Sequence, residues 1–597
     1  MVKFLIGLAT LASMVFADIT FNVVGYPTVD TNVFGVDIGG AVTKLATNET
    51  IFPLWSGVVP GSNSAVEYKY VELTPAGAQV KAESFTRKLN STTDTHTWNE
   101  FFERPVTYHQ LPRLPYTYQN LWPSKSKAFK EDQIATLHLT GPIASIAAIN
   151  VNPAAEVEAK VTVRFINAKT LYTQNNITLR TSGKSSKEFA KQSYKLKFDT
   201  EYNQTFFSRP NLKLRSMATE PTLIRERTYI DVLNAVGVPT QQGSYVRLYI
   251  NSEPYGLFLM VDDIKKSFLK QTVHGGDDTV IPGSLVQMNA PSVNEQASLQ
   301  WLGALGAAYN KDAYISQNLG NNPITEPLAQ LIAFMADLNA FDPVATPDPV
   351  GYWTSRLDLD GFLRNMALEY LMGAFDNYWM AGSNYFMYFN PKLGTAGKWQ
   401  WLPTDFDGTF GNGATIDPTA SYKNLSTLNP DHPLVSKLII KNSQINAMFV
   451  KVLKEIVSTT FKPEAMNAHM EGLNKMLSLD AQWDFSLTRK SPGKDLKFTW
   501  DDFNNNLVNI TKEMSGALKP WVQSRATAIA AELAFTIPTG TADLVAPTPR
   551  PCNPGKKCDD EDSDDDGGKA SESKASSLMM SGIAVVAVFA SSIMMLA

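Results

Sequence analysis

Cysteine is almost missing from this chain. Its 597 residues include two, Cys552 and Cys558, both near the C-terminal end. The long segment before them has no disulfide to staple it and must be held by its own core. An excess of basic charge is also missing. The formal net charge is −5, and Asp559–Asp566 alone holds seven acids, so the remainder is close to neutral. Nothing in that balance suggests a nucleic-acid partner, which would need a basic excess. There is no GxGxxG loop, no HRD tripeptide and no internal repeat. What remains is ordinary globular material, 44% hydrophobic and 19% charged, long enough for two or more domains.

The two ends carry addresses. Residues 1–17 place Lys3 before an apolar run and end in Val15-Phe16-Ala17, the pattern of a secretory signal peptide cleaved after Ala17. At the other end, twenty uncharged residues, Leu578–Ala597, follow a polar stretch and the small residues Gly567, Gly568 and Ala570. A spanning helix is usually followed by Lys or Arg on the cytoplasmic side. None follows here, so the pattern favours a GPI-anchor signal with Gly568 as the lipidated residue. Six Asn-X-Ser/Thr sequons, at Asn48, Asn90, Asn176, Asn203, Asn424 and Asn509, suit a secreted glycoprotein. The expected place is the cell surface, plasma membrane or wall, reached by the secretory pathway.

Between the ends the periodicity changes once. Residues 18–105 read as short alternating strands between turn clusters, predicting a small β-sandwich. Trp55, Tyr68 and Tyr70 are its candidates for stacking on a glycan. A linker over 106–130 follows, rich in Pro, Tyr and Lys. Residues 131–266 are strand-rich, with a helix predicted over 219–236 and a hairpin from SYVRLYI through NSEPYG to LFLMVDDI. A polar, irregular insert is expected over 267–322. Residues 323–536 show helical periodicity, 537–568 an acidic disordered stalk, and 569–597 the anchor signal. The fold class is α+β, with a cleft expected where the strand-rich and helix-rich parts meet.

The densest chemistry lies in FDNYWMAGSNYFMYFNPKLGTAGKWQWLPTDFDGTFG, ending at Gly411. Asp376 and Asn384 bound a polar loop, and a short hairpin returns to Asp405-Phe406-Asp407-Gly408. The hairpin brings Asn384 and Asp405 to one end. Magnesium needs only one or two carboxylates and an amide oxygen beside its waters and a phosphate. Kinases place a loop Asp, a loop Asn and the Asp of DFG in that way. Asp376 fits the proton acceptor, Asn384 and Asp405 the metal ligands, and Asp407 a further one.

SGKSSKEFAKQSYKLKF (182–198), EPTLIRERTYIDVL (220–233), VRLYINSEPYGLFLMVDDI (246–264), the Asp376–Asn384 loop and DFDGTFG (405–411) together resemble the spore coat protein H (CotH) kinase family. With the signal peptide, the N-terminal β-domain and the GPI-like tail, the chain is similar to the cell-surface CotH-like proteins of mucoralean fungi. The resemblance implies an atypical two-lobed protein-kinase-like fold holding ATP with Mg2+ or Mn2+. It implies phosphorylation of Ser or Thr on secreted or surface proteins. Because the relatives include invasins, it also implies a host-cell receptor as an alternative partner. Lys191, Lys195 and Lys197 compete as the phosphate-binding lysine, and the family pattern favours Lys191. Ser182 and Gly183 would offer backbone N–H groups to phosphate, Arg225 or the adjacent Glu226 would orient the nucleotide side, and the backbone of Met260–Asp263, Asp262 included, would face adenine.

Overall fold

Alternating apolar and polar side chains build the first part of the computed structural model. The structure describes residues 18–60, 65–90, 94–118, 127–202, 204–277, 279–425 and 432–540. The signal segment, the stalk from residue 541 on, both cysteines, Gly568, the anchor signal and Asn203 lie outside the described residues, while Ile537 at the start of the expected stalk packs against the main core.

Eight strands come first: β1 (Ile19–Val24), β2 (Val33–Ile38), β3 (Ala41–Lys44), β4 (Leu54–Val59), β5 (Ala65–Leu73), β6 (Gln79–Ala82), β7 (Arg87–Asn90) and β8 (His96–Phe101). One sheet runs β4-β1-β8, the other β3-β2-β5-β6 with β7 also on β5. Phe21 and Val23 of the first share a core with Phe34, Val36, Tyr68 and Tyr70 of the second. This corrects the expectation of sugar-stacking aromatics. Trp55 is buried with its Nε1 donating to the Gly25 carbonyl at 3.1 Å. The buried Tyr68 and Tyr70 hydroxyls donate to Glu100 at 2.8 and 2.9 Å. Their rings are spent on the core and offer no face to a glycan.

The expected linker is a packed strap in its described parts. Leu111 and Leu114 are buried in the main core. The Thr117 N–H donates to the Ala235 carbonyl at 3.1 Å, and the Thr460 hydroxyl donates to the Pro115 carbonyl at 2.8 Å.

Next come β9 (Ala135–Thr140), α1 (Ile143–Val151), β10 (Ala159–Ile166), β11 (Leu171–Ser182), β12 (Ser193–Lys197), β13 (Asn211–Arg215), α2 (Arg225–Ala235), β14 (Gly243–Ile250) and β15 (Glu253–Asp262). Their strands close a barrel in the order β10-β11-β12-β13-β15-β14-β9. Only β14 with β9 is parallel. Leu179, Tyr194, Leu196, Leu212 and Leu214 point inward, so the alternate residues Arg180, Lys195, Lys213 and Arg215 lie on the outer face. The hairpin turn narrows to Asn251 and Ser252, both left-handed at φ 52 and 66.

The last part holds α3 (Lys266–Phe268), β16 (Leu285–Met288), β17 (Tyr314–Asn318), α4 (Ala329–Ala340), α5 (Pro349–Thr354), α6 (Leu359–Met372), α7 (Tyr378–Ala381), β18 (Tyr385–Asn390), β19 (Lys398–Pro403), α8 (Tyr422–Leu425), α9 (Ser443–Ser458), α10 (Pro463–Ser486), α11 (Trp500–Asn505) and α12 (Leu518–Glu532). The stretch 267–322 is not an irregular insert. It supplies β16 and β17 to the sheet β17-β16-β18-β19. The main core runs from Leu257, Leu259 and Val261 on the outer face of β15 through α2 into the helices. Among the described residues no helix is long and apolar enough to cross a membrane.

Candidate active site

Two backbone turns fix the site before any side chain does. Gly373 ends α6 in the left-handed conformation at φ 60 and sends the chain into the Asp376 loop. Asn384 at φ 57 and Asp405 at φ 61 flank the β18–β19 hairpin. Both are in a region that Asn and Asp tolerate better than most residues, and strain of this kind gathers at functional sites. The register pairs Tyr385 with Pro403, so Asn384 and Asp405 do share one end. Asn377 ties that end down, its Nδ2 donating to the Thr404 carbonyl at 3.0 Å and to the Asn384 carbonyl at 3.3 Å.

The side chains then converge. Asn384 Nδ2 donates to the Asp376 carboxylate at 2.8 Å and to its carbonyl at 2.9 Å. Arg215, the last residue of β13, reaches three carboxylates. Its Nε donates to Glu226 of α2 at 2.9 Å, one terminal nitrogen to Asp405 at 3.1 Å, and the other to Asp405 and, at 3.4 Å, to Asp407. The Thr219 hydroxyl also donates to Asp407 at 2.9 Å, and Gln241 holds Glu226 at 2.9 Å. A strand cation paired with a helix Glu beside the metal-binding Asp is the arrangement kinases build from Lys and Glu. The residue that fills it was not among those expected. Its only signal is strand alternation, which sets Lys213 and Arg215 on one face.

Charge at this point is unbalanced. Burial, then the neighbouring Asp405, pushes the Asp376 carboxyl up to about 6. The same two causes, in that order, push Asp407 up to about 6. Burial raises Glu226 to about 7. Burial works against the charge on Asp405, but Arg215, the hydrogen bond to Asp407 and Lys213 together outweigh it and hold Asp405 below its ordinary value. One guanidinium among four acids leaves negative charge unmet, the signature of a cation site. The donors are all oxygens, as a hard cation such as Mg2+ prefers. Among the described residues no three or more His, Cys, Asp or Glu are arranged to cage a metal by themselves. The fit is therefore to an ion shared with water and phosphate. Asp405, Asp407 and the amide oxygen of Asn384 would hold it, and bound there it would offset phosphate charge.

Other expected residues lie elsewhere. Lys191 is buried, its Nζ 2.8 Å from Asp484 and 2.7 Å from the Leu257 carbonyl it donates to. Burial brings its amine down to about 8. Lys195 pairs with Asp263 at 2.6 Å, beside Lys213 at 3.3 Å. Lys197 is exposed at the end of β12. Ser182 ends β11, and Gly183 turns at φ 95, with the Ser186 hydroxyl folded back on the Ser182 carbonyl at 3.1 Å.

Two expectations are corrected. Arg225 is fully buried and donates to Glu220 at 3.0 Å, Asn506 at 2.7 Å and the Thr409 carbonyl at 3.2 Å, so it anchors the DFDGTFG turn and presents nothing to a nucleotide. Asp262 pairs with Arg209 at 2.6 Å. Met260–Asp262 lie between β13 and the chain leading into β14, so their backbone groups are already in two ladders and offer no free edge to adenine. Of the sequon residues, Asn48, Asn176, Asn424 and Asn509 are exposed, and Asn90 lies in β7.

The family model for CotH kinase protein matches residues 179–528. Invasin CotH3 of Rhizopus delemar is 30% identical over 553 residues, covering 87% of this chain and 85% of the relative. Invasin CotH2 of the same fungus is 29% identical over 484 residues, 76% and 77% of the two chains. Its Spore coat protein homolog 1 is 27% identical over 542 residues, 87% and 82%. The matched span starts inside β11, ends inside α12 and contains every residue of the carboxylate cluster: this chain belongs to the CotH kinase family.

Proposed function

We propose that the chain is an atypical protein kinase with a two-lobed, kinase-like body behind a small β-sandwich, transferring the γ-phosphate of ATP to Ser or Thr of secretory or surface proteins. The observation that carries this is Arg215 bridging Glu226 to Asp405 and Asp407, with Asp376 held by Asn384 alongside. Asp376 accepts the proton of the acceptor hydroxyl. The hydroxyl oxygen bonds to the γ-phosphorus, the bond from that phosphorus to the bridging oxygen breaks, and ADP leaves. A carboxyl raised to about 6 is ionised at neutral pH yet basic enough for this role. Asn384 orients it, and Thr219, Gln241 and Arg215 hold the acids in register.

The test is radiolabelled phosphate transfer by the secreted chain with Mg2+ or Mn2+. Asp376→Asn keeps shape and hydrogen bonding and is expected to lower transfer about a hundredfold or more. Transfer by that variant at the native rate would refute the assignment.

A second reading rests on the relatives named invasins. In it the chain is also a surface adhesin for a host-cell receptor, GPI-anchored through Gly568 and glycosylated at the exposed sequons. ATP is scarce outside cells, so transfer during secretion and attachment at the surface are compatible. The adhesin reading requires that soluble protein bind host cells as well with Asp376→Asn as without it.

A further inference from the structure

The outer face of the barrel carries a row of cations that the carboxylate cluster does not account for. Cross-strand register sets Arg180 of β11 beside Lys195 of β12, and Lys195 beside Lys213 of β13. Arg215 continues the same face of β13 into the cluster. In the parallel row, Lys160 of β10 lies opposite Thr178, whose other neighbour is Lys197. Five cations thus lie outward across four strands, leading to Arg215. Like charges directly opposite one another destabilise a sheet. The acids answering them are few. Asp263 takes both Lys195 at 2.6 Å and Lys213 at 3.3 Å. Glu156 takes Arg180 and Lys187. Lys160 donates only to the neutral Thr178 hydroxyl at 2.8 Å. Lys197 is exposed. Helix α1 packs on β10, the short turn of helix at Ser185–Glu188 on β11, α2 on β14 and α10 on β15, whereas β12 and β13, which carry Lys195, Lys197 and Lys213, have no helix among their main contacts.

We propose that this stripe is the docking surface for the phosphoacceptor, and that it selects acidic polypeptide: Ser or Thr flanked by Asp and Glu. The inference rests on the kinase reading of the same site. Its inner end is Arg215, where transfer would occur, and its outer end runs about three strand spacings away, roughly 14 Å. That is the span of four or five extended residues. A peptide crossing it would set its acids on Lys213, Lys195, Lys197 and Arg180 while its hydroxyl reaches Asp376. The chain itself carries such a sequence, DDEDSDDD, with Ser563 inside the acidic run.

The test uses two peptides, DDEDSDDDGG and its uncharged twin NNQNSNNNGG, with the full secreted chain and ATP. The acidic peptide should show the lower KM, and its KM should rise steeply with salt. Lys160→Glu with Arg180→Glu, both outside the catalytic cluster, should raise that KM about tenfold or more. The same pair should leave kcat, the KM for ATP and transfer to the uncharged peptide unchanged. Equal KM values for the two peptides in the native chain would overturn the inference while leaving the kinase reading intact. So would a double variant that raises the KM for ATP instead, because the stripe would then serve the nucleotide. Transfer to neither peptide, nor to casein as a generic acceptor, would remove both readings together.

Discussion

At the residue scale, the site trades stability for charge. Asp407 keeps its proton up to about 6 in the folded chain and loses it at lower pH when unfolded. Between those values the folded state binds more protons, so stability falls as pH rises. Asp407→Asn removes this liability. It should melt a few degrees higher than the native chain at pH 7, with the gain vanishing by pH 3.5, while transfer is lost. A scanning calorimeter at both pH values checks the sign; a lower melting point at pH 7 would contradict the electrostatics. If the proposed transfer holds, kcat/KM of the native chain should rise as pH climbs through about 6, because the proposed role of Asp376 needs its ionised form. Much of this was legible in the sequence. Asp376, Asn384 and Asp405 declare themselves by loop and hairpin spacing. Arg215 does not, since its partners Glu226 and Asp405 are eleven and 190 positions away in the chain.

At the scale of elements, α2 departs most from what periodicity predicts. One apolar face suits α2, yet every residue from Arg225 to Ala235 is buried. Its charges survive there only because each is paired: Arg225 with Glu220, Glu226 with Arg215, Arg227 with Asp231. The helix lies between barrel and helical body, so it has no solvent face. α10 keeps a solvent face, but on its buried face it too carries charges into the interior. Asp480 pairs with Arg104 at 3.1 Å and Arg247 at 2.5 Å, and Asp484 with Lys191 and Arg489. Gly256 permits the approach: at φ +125, a Cβ there would stand 2.1 Å from the Asp484 carboxylate. Removing one partner of such a buried pair strands the other, at about 3–5 kcal/mol. Asp484→Ala should therefore destabilise by that order in urea titration, and Lys191→Met added to it should recover most of the loss. If the second substitution recovers nothing, the lysine is not the stranded charge.

For the whole molecule, the continuous core predicts cooperative melting. Leu257, Leu259 and Val261 of the barrel wall and the helices after residue 328 belong to one cluster. Barrel and helical body should unfold in a single transition, with tryptophan fluorescence and far-UV circular dichroism coincident. Separate midpoints would show that the shared core does not couple them. The N-terminal sheets have a core of their own and meet the barrel through Tyr26, stacked on Tyr249 at 3.9 Å between ring centres, and through Val24, Leu54 and Phe101 packed on Ile166 of β10. The sequence by itself determined the strand-then-helix order, a body that depends on its core rather than on disulfides, and the carboxylate loop with its hairpin. These are encoded in neighbouring residues: periodicity, turn chemistry and short spacing. Tertiary structure alone decided that the strands close into a barrel, that 267–322 completes a sheet, that Lys191 is buried on Asp484, and that Arg215 holds the site. Each depends on which distant segments meet, and burial and pairing between them are set by the packed whole rather than by any local stretch of chain.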